Sequence, residues 1–344
     1  MLFDAPDFDA HEGVHWFCDA ATGLHAIIAV HSTHLGPAAG GCRFWDYATD
    51  AAALTDALRL SRGMSYKNAM AGLPLGGGKA VILKRAHKDE ALLEAFGSAI
   101  DSLGGKYVTA EDVGMSDHDM TVIARKTRHV SGLPVSGAAA GGNPGPSTAE
   151  GVFLGIRAAI RHKLGRDDFN GVHVAIQGLG SVGMALAERL HAAGAKLTVA
   201  DIHPERTARA ARDFAAKIAD IREILSTSAD VLSPCALGAV LNEASIAALD
   251  VPIVAGAANN QLATPDDGAR VRARGILYAP DYVINAGGII NVAAEYLGQG
   301  DAASVTAAIA KIEPRLAEIF ATADALGRGT DTVADTMART LIGR

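Results

Sequence analysis

Cysteine is scarce: Cys18, Cys42 and Cys235 stand far apart with no CxxC pair. That excludes a disulfide framework and a cysteine zinc site. Basic clusters are missing as well, and the formal net charge is -7. A nucleic-acid surface needs concentrated Lys and Arg, so no nucleic acid is expected as a partner. There is no uninterrupted apolar run long enough to span a bilayer, so no membrane is expected either. The first residues, MLFDAPDFDA, are acidic and lack the basic start and apolar core of a signal peptide. These absences together predict a cytoplasmic protein whose partners are small molecules. Aromatic residues make up only 5% of the chain, and no internal repeat or low-complexity tract appears beyond a bias to alanine.

What the sequence does contain suits an α/β protein with closely packed helices: nearly half the residues are apolar, with alanine and glycine prominent. At 344 residues it exceeds what one hydrophobic core usually supports, which predicts two domains.

Two stretches imitate well-known motifs. In GLPLGGGKAVILK, from Gly72 to Lys84, three glycines precede Lys79 and read as a turn whose backbone is open to close approach. A phosphate-binding P-loop fails at both ends, because Leu73 stands where the first glycine belongs and Ala80 where the metal-holding hydroxyl belongs. What remains is a lysine that is either catalytic or an ordinary surface group. The second imitation is His11-Glu12-Gly13-Val14-His15, an HExxH pattern. Zinc binding there needs a helix that puts both imidazoles on one face; Gly13 weakens one, and His15 to His31 read as two strands instead. No metal site is expected.

In chain order, LGPAAGGCRFWDY follows the second strand, with Gly40 and Gly41 again offering backbone. A helix is predicted from Ala51 to Met64, and Lys67, twelve positions before Lys79, stands where two lysines can converge on an anion. A helix over 88–103 and the strand KYVTAED follow, the strand ending in Glu111-Asp112. A carboxylate at a strand end is a frequent catalytic placement and equally a helix cap, although Ser116 or Asp117 already caps the next helix. Residues 131–146 are rich in glycine, proline and small side chains and make the best domain boundary. Ser147 with Glu150 reads as a capping box opening a helix to Leu164.

The next thirty residues read strand, glycine turn, helix, strand, with GxGxxG at Gly178, Gly180 and Gly183 and Asp201 about twenty residues on. All the parts of a dinucleotide-binding unit fall in their required places. Asp201 can bond ribose hydroxyls and would repel a 2′-phosphate, which favours NAD over NADP, with Arg206 nearby as the countervailing group. Further βα alternation completes a doubly wound sheet. Asn259 and Asn285 lie in glycine-rich turns at strand ends, where they either hold nicotinamide or substrate, or cap the turn. The expected organisation is an N-terminal α/β substrate and oligomerisation domain, 1–138, with helices 315–344 packing back on it, and a Rossmann NAD-binding domain, 139–314.

The motifs GPAAGGCRFW, MSYKNAMAGLPLGGGKAVI, TAEDVG, GGNPGPSTAEGV, GLGSVG, GAANNQL and YAPDYVINAGGIINVA occur in that order along nearly the whole chain. Together they resemble the glutamate/leucine/phenylalanine/valine dehydrogenases. The resemblance implies NAD-dependent oxidative deamination of an amino acid, in a homo-oligomer built through the N-terminal domain. It implies that Lys67 binds the substrate carboxylate, that Lys79 acts in acid–base catalysis and that Asp112 supports proton transfer, with Gly40, Gly41 and Asn259 near the substrate. NAD is implied on Gly178, Gly180, Ser181, Val182 and Gly183, with Asp201, Thr148 and Asn285. Lys79 must be neutral to activate water; desolvation and the Lys67 cation favour that state, and Asp112 opposes it.

Glutamate enzymes of this family carry a lysine where this chain has Ala39, and the other positions that by resemblance line the pocket, Ala110, Ile289 and Val292, are apolar. A buried side-chain carboxylate without a cation is heavily penalised, so an apolar substrate is expected and glutamate disfavoured. Leucine, valine and phenylalanine stay open, because one buried methylene discriminates by only about 1–3 kcal/mol. The rival reading is a non-catalytic NAD-binding regulator that kept the fold. The joint presence of Lys67, Lys79 and Asp112 speaks against it.

Overall fold

A computed structural model describes residues 2–5, 7–133, 143–236, 238–298 and 301–344. The chain divides into two compact units, one of residues 1–142, 291–302 and 338–344 and the other of 143–290 and 303–337. Within the stretch expected to return to the N-terminal domain, 315–344, only 338–344 fall in the first unit.

The first unit is built on β1 (Gly13–Asp19), β2 (Leu24–Ser32), β3 (Ala38–Trp45), β4 (Gly76–Leu83) and β5 (Tyr107–Glu111), in the sheet order β1-β2-β4-β3-β5. β2 runs antiparallel to β1 and β4, while β3 is parallel to β4 and β5. The central strand β4 is buried along its whole length, and its side chains alternate between two cores. Ala80 and Ile82 pack with the helices α2 (Glu90–Asp101) and α3 (Asp117–Ile123), whereas Val81 and Leu83 pack with Ala53, Ala57 and Leu58 of α1 (Asp50–Met70). A strand covered on both faces reads as a continuous apolar run, as Ala80 to Leu83 does here. Each fully buried aliphatic side chain there stabilises the fold by roughly 1.5–3 kcal/mol.

The helices begin where polar side chains satisfy their first N–H groups. Thr49 accepts from Ala52 N–H at 3.1 Å, Asp89 accepts from Leu92 N–H at 2.9 Å, and Ser116 forms a capping box with Asp119. Residue 344 is docked on the same unit: the Arg344 guanidinium donates to the carbonyls of Asp9, Ala10 and His31 at 2.7–2.9 Å. Glu295 likewise holds the segment 291–302 in this unit, accepting from the N–H groups of Gly132 and Leu133 at 3.2 and 2.9 Å.

Two local expectations are corrected. Gly76, Gly77 and Gly78 do not form a turn; they open β4, and a Cβ at Gly77 would lie 2.0 Å from the Ser65 amide nitrogen of α1. Gly77 thus serves close packing of helix on strand, while a Cβ at Gly76 would lie 1.9 Å from Ser32 O and one at Gly78 2.7 Å from the Tyr107 ring. α1 also runs on past Met64 to Met70, so Lys67 sits in its last turn.

The second unit carries β6 (His173–Gln177), β7 (Lys196–Ala200), β8 (Lys217–Ile218), β9 (Val231–Pro234), β10 (Ile253–Val254) and β11 (Leu277–Tyr278), all parallel, in the order β11-β10-β9-β6-β7-β8. Counted from β6 this is the order 3-2-1-4-5-6 of a doubly wound dinucleotide fold, as expected. Its helix α4 (Gly145–Leu164) starts two residues before Ser147, so the predicted capping box does not form. Pro144 is the N-cap, and Glu150 instead accepts from Arg189 at 2.8 Å. The helix Ile312–Leu326 packs on α4, with Arg157 Nε donating to both oxygens of Glu313 at 3.2 Å.

Candidate active site

In the first unit the predicted substrate-side residues gather on one face of the sheet. Strand alternation puts Ala38, Cys42 and Phe44 of β3 and Ala80 and Ile82 of β4 against α2 and α3. Ala39, Gly41 and Arg43 of β3 and Lys79 of β4 therefore point the other way, towards the side that α1 covers. Ala39 is buried with Leu75, Val108 and Ala293, and Ala110 is the next residue of β5 on the Val108 face. Gly41 pairs with Ala110 across the sheet, and a Cβ at Gly41 would come within 2.9 Å of the Asp112 Cβ. Gly40 is buried too, so both glycines serve close packing.

Lys79 is 6% exposed and donates a hydrogen bond to Asp112 Oδ2. Asp112 lies just past the end of β5, as the sequence indicated, and caps no helix; Ser116 does that. Burial pushes the Asp112 carboxyl upwards, but the Lys79 and Arg43 cations outweigh it and hold the group below the ordinary carboxylate range. Lys67 is half-buried in the last turn of α1. The next residue, Asn68, fixes that turn: fully buried, it donates through Nδ2 to Gly76 O at 2.6 Å and Ala39 O at 3.5 Å. Val292 is half-buried on the helix Gly287–Tyr296, next to Ala293.

Sequence reasoning passed over Asn68, Arg43 and the pair behind Arg43. The signal for Arg43 was available: it is a charged residue inside an otherwise apolar, glycine-flanked strand. The HExxH residues do not share a helix: β1 begins at Gly13, and His11 Nε2 lies 3.1 Å from Leu58 O and 2.9 Å from Ser61 Oγ. Among the described residues no group of three His, Cys, Asp or Glu side chains is arranged to hold a metal ion, and no helix is long and apolar enough to cross a membrane.

The second unit holds the cofactor-side residues, together with Asn259 and Ile289. Gly178 has φ +94°, and a Cβ at Gly183 would lie 2.0 Å from Gly178 O, so the turn out of β6 closes tightly onto α5 (Ser181–Ala192). Gly180 is the N-cap of α5, and a Cβ built there meets nothing within 4 Å. That free space at a helix N-terminus is what a pyrophosphate needs. Ser181 and Val182 form the first turn of α5. Ser181 Oγ lies close to Gly145 at the start of α4, while Thr148, one turn into α4, lies beside Gly288.

Asp201 ends β7 with its carboxylate fixed by the N–H groups of Leu179 at 2.6 Å and His203 at 2.8 Å. Burial raises this carboxyl, and those N–H donors with Arg206 reverse the effect, so it is held ionised. Asn285 is 4% exposed; its Nδ2 donates to Ala257 O at 3.0 Å and Asn259 Oδ1 at 2.8 Å, which leaves Oδ1 buried with no partner. A buried acceptor without a donor costs about 1–3 kcal/mol, and a carboxamide N–H of nicotinamide is the kind of donor that would satisfy it. The free space at Gly180, the ionised Asp201 and the orphaned Asn285 oxygen all fit a dinucleotide.

The family model described as Glu/Leu/Phe/Val dehydrogenase, dimerisation domain, matches residues 14–129. A second, Glutamate/Leucine/Phenylalanine/Valine dehydrogenase, matches residues 199–325. The leucine dehydrogenase of Geobacillus stearothermophilus is 47% identical over 326 residues, 94% of this chain and 88% of that protein. The valine dehydrogenase of Streptomyces virginiae is 48% identical over 298 residues, 85% of this chain and 83% of that protein. Among solved structures, that of L-tryptophan dehydrogenase from Nostoc punctiforme superposes with a TM-score of 0.87 at 41% identity, covering 96% of each chain. On the two family models and these identities, the chain belongs to the glutamate/leucine/phenylalanine/valine dehydrogenase family.

Proposed function

We propose that this protein carries out the NAD-dependent, reversible oxidative deamination of an apolar L-amino acid to its 2-oxo acid and ammonia. Membership of the family implies an amino acid substrate and a nicotinamide cofactor. The observation that carries the reading is the buried Lys79–Asp112 pair on the sheet face that also bears Ala39. Lys67, at the end of a helix tied to the strands through Asn68, fixes the substrate carboxylate, a contribution of geometry. The nicotinamide, when bound, supplies the acceptor for the hydride leaving Cα. Lys79 in its neutral form takes the proton from the water that attacks the resulting iminium carbon, and Asp112 handles the proton of the departing amine.

The substrate side chain is apolar because Ala39, Ala110 and Val292 of the first unit offer it no cation, and an unpaired buried carboxylate is costly. Leucine, valine and tryptophan enzymes among the relatives agree with that class. NAD is preferred to NADP because Asp201 is held ionised at the end of β7, where a 2′-phosphate would be repelled. Asn285 and Thr148 complete the cofactor side, and Asn259, bonded to Asn285, stands with the substrate set. The protein assembles as a homo-oligomer through its first unit and works in the cytoplasm on small molecules.

The test is a panel of L-leucine, L-valine, L-phenylalanine, L-tryptophan and L-glutamate with NAD and NADP, following the absorbance of the reduced cofactor. Turnover is expected with the apolar substrates and NAD, and Lys79→Ala is expected to lose about 10²–10⁴-fold in kcat while still binding NAD. Silence across the panel, a preference for glutamate, or undiminished turnover in Lys79→Ala would overturn the proposal.

A further inference from the structure

Arg43 is charged and half-buried within β3, on the same face as Lys79. Its guanidinium spans two carboxylates: Nε donates to Asp112 Oδ2 at 3.3 Å and Nη1 to Asp56 Oδ2 at 2.8 Å. The Tyr47 hydroxyl donates to the same Asp56 oxygen at 2.6 Å. Lys79 donates to the very oxygen of Asp112 that Arg43 reaches. One carboxylate oxygen is therefore shared by two cations, and the second cation is anchored from behind by α1.

We propose that Arg43, anchored by Asp56 and Tyr47, is the positioning residue of the acid–base pair: it shares one oxygen of Asp112 with Lys79, and so fixes where that carboxylate meets Lys79 and how readily it takes up a proton. This deepens the reading above and rests on it. Burial pushes the Asp112 carboxyl towards the neutral acid, and the two cations beside it push the other way. Arginine stays charged at any pH the protein meets, so it supports the carboxylate without competing for the proton. Asp112 is thereby kept ionised and able to accept the proton of the amine.

The planar fork is what lets one side chain hold Asp56 and Asp112 at once; a lysine offers only a point charge. Tyr47 is kept a phenol by burial and by its bond to Asp56, so it remains a donor that braces the anchor. The other titratable groups facing the pair leave this arrangement intact. Cys42 on β3 and Tyr107 on β5 are fully buried and held protonated by that burial. Beyond Cys42 lie Asp119 and Lys88, paired with each other. α1 contributes Lys67 besides Asp56.

The experiment is kcat/KM for oxidative deamination against pH, with the best substrate of the panel, in the wild type, Arg43→Gln, Arg43→Lys and Asp56→Asn. In Arg43→Gln the rising limb moves up by about 0.5–1 pH unit, because Asp112 loses one of the two cations that hold its carboxyl down. Arg43→Lys restores part of the shift. Asp56→Asn moves the limb the opposite way, since the guanidinium is released to Asp112; this variant also decides the matter if Arg43→Gln does not fold. A limb that stays at the wild-type pH in either folded variant, or opposite signs to these, overturns the proposal. A wild type with no amino acid turnover would instead overturn the underlying reading, so the two failures are distinguishable.

Discussion

Asp112 shows how much of this chemistry is decided one residue at a time. Desolvation alone would push its carboxyl towards the neutral acid, and the two cations beside it reverse the sign. Lys79 and Asp112 were legible as candidates in the sequence because one follows three glycines and the other ends a strand. Their mutual bond was not, since 33 residues separate them. Arg43 was harder still to read, with partners 13 and 69 residues away. Ala39 makes its own prediction at this scale. It is 6% exposed beside Leu75, Val108 and Ala293, with no cation among those neighbours. Ala39→Lys is expected to shift the substrate ranking towards L-glutamate by roughly tenfold or more, because a cation would then meet a side-chain carboxylate. An unchanged ranking in a folded variant, read from kcat/KM across the panel, would remove Ala39 from the substrate-contacting set.

At the scale of elements, the strand β4 and the helix α1 behave as one device. Gly77 of β4 lets α1 lie against the strand at Ser65, and that contact carries Lys67 and Asn68 into place. In Gly77→Ala the new methyl would stand 2.0 Å from the Ser65 amide nitrogen and 2.2 Å from its hydroxyl, which itself bonds His31 Nδ1 at 2.7 Å. Backbone cannot yield as a side-chain tip can, so a loss of about 1–3 kcal/mol or more is expected from overpacking, with a raised KM as Lys67 is displaced. Gly63→Ala in the same helix meets nothing within 4 Å and is expected to be neutral or stabilising by up to about 1 kcal/mol. Urea denaturation midpoints check both; equal midpoints for the two variants would contradict this account. Sequence spacing predicted α1 as far as Met64 but read the glycines that open β4 as a turn. A glycine run looks the same whether its missing side chains make room for a ligand or for a helix.

The whole molecule holds two sheets, one in each unit and each with its own buried apolar clusters, as its length required. Which unit a late helix joins was not legible: the helix Ile312–Leu326 packs on α4, with Ile312 and Leu316 near Gly151 and Gly155, while residues 338–344 fall in the first unit. Amphipathic periodicity reports that a helix has an apolar face, and the partner for that face comes from elsewhere in the chain. Assembly is the prediction that belongs here. The matched dimerisation-domain model lies wholly in the first unit. Sedimentation velocity at micromolar concentration should therefore show a species several times the 35.3 kDa of one chain. A single 35.3 kDa species would refute the homo-oligomer.

The sequence by itself determined the two-unit α/β plan and the tight glycine turn at Gly178, Gly180 and Gly183, and it singled out Lys67, Lys79 and Asp112 as candidates. These are local patterns, in which a glycine's missing side chain or a charge in an apolar run carries meaning at its own position. Only the tertiary structure decided that Lys79 shares Asp112 with Arg43, that Asn68 ties the end of α1 to β3 and β4, and that the triple glycine is a packing surface inside a buried strand. Those depend on strands far apart in the chain being brought side by side, and the energies of charge sharing and close packing exist only once that pairing is made.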